Sequence, residues 1–142
     1  MSEESCIFCK IVRGEMPSSV IFEDEHCIAF MDVFPVTEGH CLLIPKKHYV
    51  NMYDVDPEAV GYLAKKLSDL SRRVQNATGA EGVLNIVANG EGAGQEVPHL
   101  HFHVIPRNKN SPFGFRFPPD YRESMAPRET LDRMAEKIRE ST

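Results

Sequence analysis

The heptapeptide HLHFHVI, His99 to Ile105, constrains the fold more than any other stretch of this chain. Three of the six histidines fall within five residues, at alternate positions, with apolar residues between them. Strand side chains alternate faces, so His99, His101 and His103 share one face and Leu100, Phe102 and Val104 the other. A helix would scatter the same rings, at ~3.6 residues per turn. The pattern predicts a strand, PHLHFHVIP, whose back packs in a core and whose front carries imidazoles, closed by Pro106. Histidine on a solvent-facing sheet surface would account for one ring, but not for three in register after a glycine-rich loop.

The rest of the chain supplies a domain for that strand. Cys6 to Glu15 predicts a helix with Ile7, Phe8 and Ile11 on its apolar stripe, ended by Gly14 and Pro17. VIFED and HCIAFMD read as a hairpin, FPVTEGH as a turn, and HCLLIP as a third strand stopped by Pro45. Asp56 as N-cap, Pro57 at the first helical position and Gly79 beyond the end bound a long helix. Its stripe is Val60, Leu63, Ala64, Leu67, Leu70 and Val74. VLNIVAN, from Val83, is a fourth strand. A last helix begins at Pro127, with Leu131, Met134, Ala135 and Ile138 as its stripe. Strands and helices do not alternate strictly, which favours an α+β domain with a mainly antiparallel sheet. At 142 residues with 42% hydrophobic content, one domain with a real core is expected. Residues 107–142 would form a C-terminal arm and helix; KNSPFGFRFPPDY reads as extended chain.

Charge and cysteine usage exclude some functions. The net charge is -5, which argues against general nucleic-acid binding. No apolar run reaches the ~20 residues that span a bilayer, and MSEESCIFCK has no signal-peptide core. A cytoplasmic protein without membrane or nucleic-acid partners is expected. Cys27 and Cys41 lie in apolar runs and read as small core residues. Cys6 and Cys9 form a C-x-x-C outside any thioredoxin-like pattern, leaving reduced core thiols or part of a metal site.

Two chemistries suit the histidine strand. H-x-H can present two imidazoles to zinc. Alternatively, an imidazole nitrogen can attack phosphorus and form a covalent intermediate, with neighbouring rings donating to phosphate oxygens and the leaving group. The preceding loop, NGEGAGQEV, favours phosphorus. Gly90, Gly92 and Gly94 permit positive φ and close approach, so several backbone N–H groups can turn toward an anion.

HLHFHVI also resembles the H-φ-H-φ-H-φ-φ signature of the histidine triad family of nucleotide hydrolases and transferases. CIFCKIVRGEMPSSVIFEDEHCIAFMD, GHCLLIPKKH and NGEGAGQEVPHLHFHVIPR are similar, in order, to the blocks of its Hint branch, up to about Arg107. The resemblance implies a five-stranded antiparallel sheet with one long and one or two shorter helices, and a homodimer. It implies His101 as nucleophile at the α-phosphorus of a nucleotide, His103 binding phosphate and aiding departure, and His40 supporting the triad. By the same resemblance Asp32 would hold the ribose hydroxyls, with Val33 beside it. Ile7, Phe8, Ile11 and Phe30 would enclose a purine base, and Asn89, Gly94, Gln95 and Val97 would line the phosphate loop. Glu96 departs from the Ser or Thr common there; a carboxylate repels phosphate. The implied reaction is hydrolysis of a purine nucleoside phosphoramidate. Alternatives are hydrolysis of dinucleoside polyphosphates, or a nucleotide-binding regulatory or scaffold role with little turnover. Some bacterial members of the family resemble this chain in the C-x-x-C. They imply structural zinc on Cys6, Cys9, His48 and His99, with no catalytic metal. All three triad rings on one metal would leave the C-x-x-C without a role.

Overall fold

The computed structural model describes residues 3–142. Five strands form one sheet: β1 (Val20–Glu23), β2 (Cys27–Met31), β3 (Cys41–Pro45), β4 (Gly82–Ile86) and β5 (Phe102–Arg107). Their spatial order is β1-β2-β3-β5-β4, and every neighbouring pair is antiparallel. The helices are α1 (Ile7–Val12), α2 (Pro57–Thr78) and α3 (Arg128–Glu140). This is the α+β architecture expected from the sequence. Among the described residues no helix is long and apolar enough to cross a membrane.

Strands β2 and β3 are apolar throughout because both faces of the sheet are covered there. Cys27, Ala29, Cys41, Leu43, Phe102 and Val104 face α2 and pack with its Leu63, Leu70 and Val74. The alternate residues Ile28, Phe30, Leu42 and Ile44 pack with Cys6, Phe8 and Cys9 around α1. Cys27 and Cys41 are fully buried, as expected for small core residues. Ends of α2 follow the sequence signals. Asp56 accepts from the Glu58 and Ala59 amides, Pro57 opens the helix, and Gly79 closes it at φ 67°. Such an N-cap contributes about 1 kcal/mol. Ala64 of the expected stripe is exposed.

Several boundaries differ from the sequence reading. Helix α1 stops at Val12 instead of Glu15, because Arg13 caps it onto the Cys9 and Ile11 carbonyls and Gly14 turns the chain at φ 76°. Strand β4 ends at Ile86, short of Asn89. The ladder of β5 begins at Phe102 instead of Pro98, since its pairing with β3 starts at Leu43–Phe102. Before that point the Leu100 amide donates to the Tyr49 carbonyl at 2.7 Å. The alternation of faces nevertheless continues, and Leu100 stays in the α2-side core. In the glycine-rich loop, Gly90 and Gly94 take positive φ and Gly92 does not, because residues 91–93 form a 3-10 turn. The stripe expected to bury α3 lies in the open: Leu131, Met134 and Ile138 are exposed and no α3 residue is buried.

Candidate active site and metal cluster

The face of β5 that carries the imidazoles is covered by α1 and the loops around it. A cavity of about 470 Å³ opens there. Ile7, Phe8 and Ile11 of α1 form one wall, with Phe30 of β2. Asp32 and Val33 line the adjoining side, Gly94, Glu96 and Val97 the loop side, and His40, His101 and His103 the remaining side. The sheet explains the apolar wall, since Phe30 pairs with Leu42 across β2 and β3. Leu42, Met31, Phe34, Pro17 and Ser18 also line the cavity and were not anticipated. Register could have flagged Leu42; Pro17 and Ser18 carry no local signal. Val33 and Phe34 are exposed at 77% and 83%, as apolar residues at a mouth are.

Two residues expected on the phosphate loop do not reach the cavity. Asn89 turns its side-chain oxygen to the Met52 amide at 2.9 Å. Gln95 is buried, and its amide ties Gly90, Asn51, Val50 and Val97 together. It shapes the loop from behind. Glu96 is exposed at the lip, where solvent screens its charge.

Backbone contacts assign the proton on each buried ring. His101 Nδ1 lies 2.7 Å from the His99 carbonyl, and a carbonyl only accepts. Nδ1 therefore carries the proton and Nε2 keeps its lone pair. Burial pushes the pKa of His101 below the ordinary histidine value, so the ring is uncharged near neutrality. Phe8 meets it edge to face, with centroids 5.2 Å apart. His103 is pushed down to about 4, by burial first and then by the neighbouring His101 and His40. His40 is also lowered by burial, against the opposing charge of Asp32. Its Nε2 lies 2.9 Å from His103 Nδ1 and 3.4 Å from Asp32 Oδ2. The Phe34 amide donates to Asp32 Oδ1 at 2.9 Å, which orients the carboxylate.

His99 lies on the same face, against Phe8 with centroids 5.8 Å apart, but does not line the cavity. Its Nε2 donates to the Pro45 carbonyl at 2.9 Å, leaving Nδ1 bare. That atom lies 3.3 Å from Cys6 Sγ, 3.5 Å from Cys9 Sγ and 3.2 Å from His48 Nδ1. Cys9 Sγ is 3.3 Å from His48 Nδ1. Burial and then the neighbouring Cys6 push the Cys9 thiol up to about 12, so it stays protonated without a cation; a coordinating metal would deprotonate it. Tetrahedral zinc, with bonds near 2.3 Å to sulfur and ~2.0–2.1 Å to nitrogen, sets ligand–ligand edges of roughly 3.3–3.8 Å. The observed spacings need shifts of a few tenths of an ångström. The donor set, its convergence and the Pro45 carbonyl behind His99 all fit a structural zinc site.

A ring nitrogen held unprotonated on the wall of a cavity, with further neutral imidazoles beside it, has a lone pair that can bond to an electrophile bound there. A family model described as the HIT domain matches residues 13–110. An uncharacterized HIT-like protein of Borreliella burgdorferi is 49% identical over 115 residues, covering 78% of this chain and 81% of that protein. The adenosine 5'-monophosphoramidase hnt1 of Schizosaccharomyces pombe is 39% identical over 103 residues, covering 72% and 74%. Among solved structures, a HIT-family member from Bacillus subtilis superposes with a TM-score of 0.89 at 34% identity, covering 97% of each chain. A Zn-bound histidine triad family protein from Mycobacterium smegmatis gives 0.75 at 37% identity, covering 86% and 88%. The chain belongs to the HIT family.

Proposed function

We propose that this protein hydrolyses purine nucleoside 5'-phosphoramidates through a nucleotidyl-histidine intermediate on His101. The observation that carries the reading is the His101–His99 contact, which leaves Nε2 with a lone pair on a ring lining the cavity. In the first step Nε2 bonds to the α-phosphorus and the P–N bond breaks, its electron pair going to nitrogen. The amine leaves with one proton taken up from solvent. In the second step water attacks phosphorus, the Nε2–P bond breaks, and one proton returns to solvent. Neighbouring imidazole N–H groups stabilise charge on the phosphoryl oxygens. Asp32 offers acceptor oxygens to a ribose diol, and the wall of Ile7, Phe8, Ile11 and Phe30 takes the base.

Cys6, Cys9, His48 and His99 would hold zinc, which supplies a rigid cross-link with all four positions filled by protein. The same reading includes a homodimer, supported by the place of β4 at the end of the sheet, where a second copy can extend it; light scattering at twice the chain mass would bear it out. The functional test is release of AMP from adenosine 5'-phosphoramidate by the wild type and by His101→Ala. Turnover lost in the variant, with a trapped nucleotidyl adduct in the wild type, supports the mechanism. Equal rates in both would overturn it. Turnover of diadenosine polyphosphates alone would move the substrate assignment to that class.

A further inference from the structure

The loop that runs from β2 to β3, residues 32–40, touches the site through a backbone group. The Val36 amide lies 3.2 Å from His40 Nδ1. An amide N–H can only donate, so His40 Nδ1 carries a lone pair and its proton is on Nε2. That proton faces His103 Nδ1 at 2.9 Å and Asp32 Oδ2 at 3.4 Å. His103 Nδ1 is therefore an acceptor, and the proton of His103 resides on Nε2. Reversing the chain would put a proton on His40 Nδ1, against the Val36 N–H. An imidazolium at His40 meets the same opposition.

The position of the Val36 amide is set from outside the cavity. Val36 itself is 40% exposed, so side-chain packing alone does not hold it. Thr37 does: its hydroxyl donates to the Pro106 carbonyl at 2.8 Å, and its own carbonyl accepts from the His40 amide at 3.1 Å. Pro106 lies on β5, three residues beyond His103, so the tie and the ring it controls share one strand. Gly39 lets the loop press against that strand. It sits at φ 99°, and a Cβ there would come within 2.8 Å of Thr78 Cγ2 and 3.1 Å of Pro106 Cγ.

We infer that Thr37 is a positioning residue: through the Val36 amide and His40 it fixes His103 in the tautomer that bears its proton on Nε2. The inference rests on the phosphoryl-transfer reading of the site, and gives His103 the role of a neutral hydrogen-bond donor. A neutral imidazole held as an electrophile has a precedent in another enzyme class. The same proton chain sets the Asp32–His40–His103 group, whose ligand atoms also converge, apart from the zinc cluster. His40 Nε2 is committed as a donor there, whereas His99 Nδ1 is bare.

The test is histidine ¹⁵N NMR and steady-state kinetics on the full-length, zinc-loaded protein and its Thr37→Val and Thr37→Ser variants. Wild-type His40 and His103 should both show the Nε2–H tautomer. Thr37→Val should mix the tautomers and lower kcat about tenfold with KM little changed, the effect of one hydrogen bond lost from the transition state. Thr37→Ser keeps the hydroxyl and should restore both. An Nδ1–H tautomer on His103 in the wild type would overturn the inference, whether or not the valine variant folds. So would unchanged tautomers, or an unchanged kcat, in a folded Thr37→Val. Because the spectra read the tautomer without turnover, a wild type that holds it but leaves phosphoramidate intact would refute the proposed substrate alone.

Discussion

Gln95 offers the sharpest single-atom test of how the loop beside the cavity is held. Its Nε2 donates to the Val50 carbonyl at 2.6 Å and the Val97 carbonyl at 3.1 Å. Its Oε1 accepts from the Gly90 amide at 2.8 Å and from Asn51 Nδ2 at 3.2 Å. The residue is 8% exposed. Gln95→Glu preserves shape and both acceptor contacts but turns the donor nitrogen into an oxygen facing two carbonyl oxygens. Two hydrogen bonds are lost at about 1 kcal/mol each; the Val97 carbonyl keeps the His99 amide at 2.9 Å, and the carboxylate oxygen adds repulsion against the Val50 carbonyl. We expect a deficit of about 2–3 kcal/mol at pH 7, a large part of the 5–15 kcal/mol typical of a domain. The new carboxyl has its folded pKa raised above the ordinary value of ~4.3, because only the protonated form can donate to Val50. Destabilisation therefore grows as pH rises through that window and shrinks on acidification. Urea unfolding of wild type and variant at pH 7 and pH 5 measures the difference directly. A deficit under about 1 kcal/mol at pH 7, or the same deficit at both pH values, would refute the clamp.

Two further perturbations address the buried ring and the cluster. His103 is held at about 4 against an ordinary 6.5, so the unfolded chain takes up its proton first as pH falls. The stability it permits is complete above ~6.5 and declines toward 4, by roughly 3 kcal/mol at about 1.4 kcal/mol per pKa unit. Urea unfolding between pH 7 and 4 should show a steeper loss in the wild type than in His103→Gln. Cys9→Ser should drop bound zinc from one ion per chain to a small fraction by elemental analysis. A chelator should then lower the Tm of the wild type but not of the variant; full zinc in Cys9→Ser would remove Cys9 from the ligand set.

Alternation in HLHFHVI was legible because a buried central strand writes both faces into the sequence. The place where the ladder starts was not, since it depends on how far β3 reaches alongside. Gln95 and Asn89 look like loop polar residues in either role; only the groups around them, from 37 to 45 residues away in sequence, decide that Gln95 turns inward and that Asn89 ties to the Met52 amide. The α3 stripe shows the converse limit. A helical pattern predicts the helix and not its partner, and here Leu131, Met134 and Ile138 stay exposed. Control of His40 by the Val36 amide has no residue-type signature at all, because every residue but proline has that N–H.

Helix α1 is six residues long, too short to persist by its own hydrogen bonds, since isolated helices below ~12–15 residues are marginal in water. It borrows order from Phe8 in the core and from Cys6 and Cys9 against His48 and His99. Those partners are separated from it by 39 to 93 residues of chain. On a ribosome, Cys6 and Cys9 emerge long before His99 exists to receive them. Until His99 is made, α1 has its apolar partners on β2 and β3 but not the full set of side chains that anchors Cys6 and Cys9, and the cavity lacks His101 and His103, so the first helix of the chain waits for the last strand of the sheet before the site is whole.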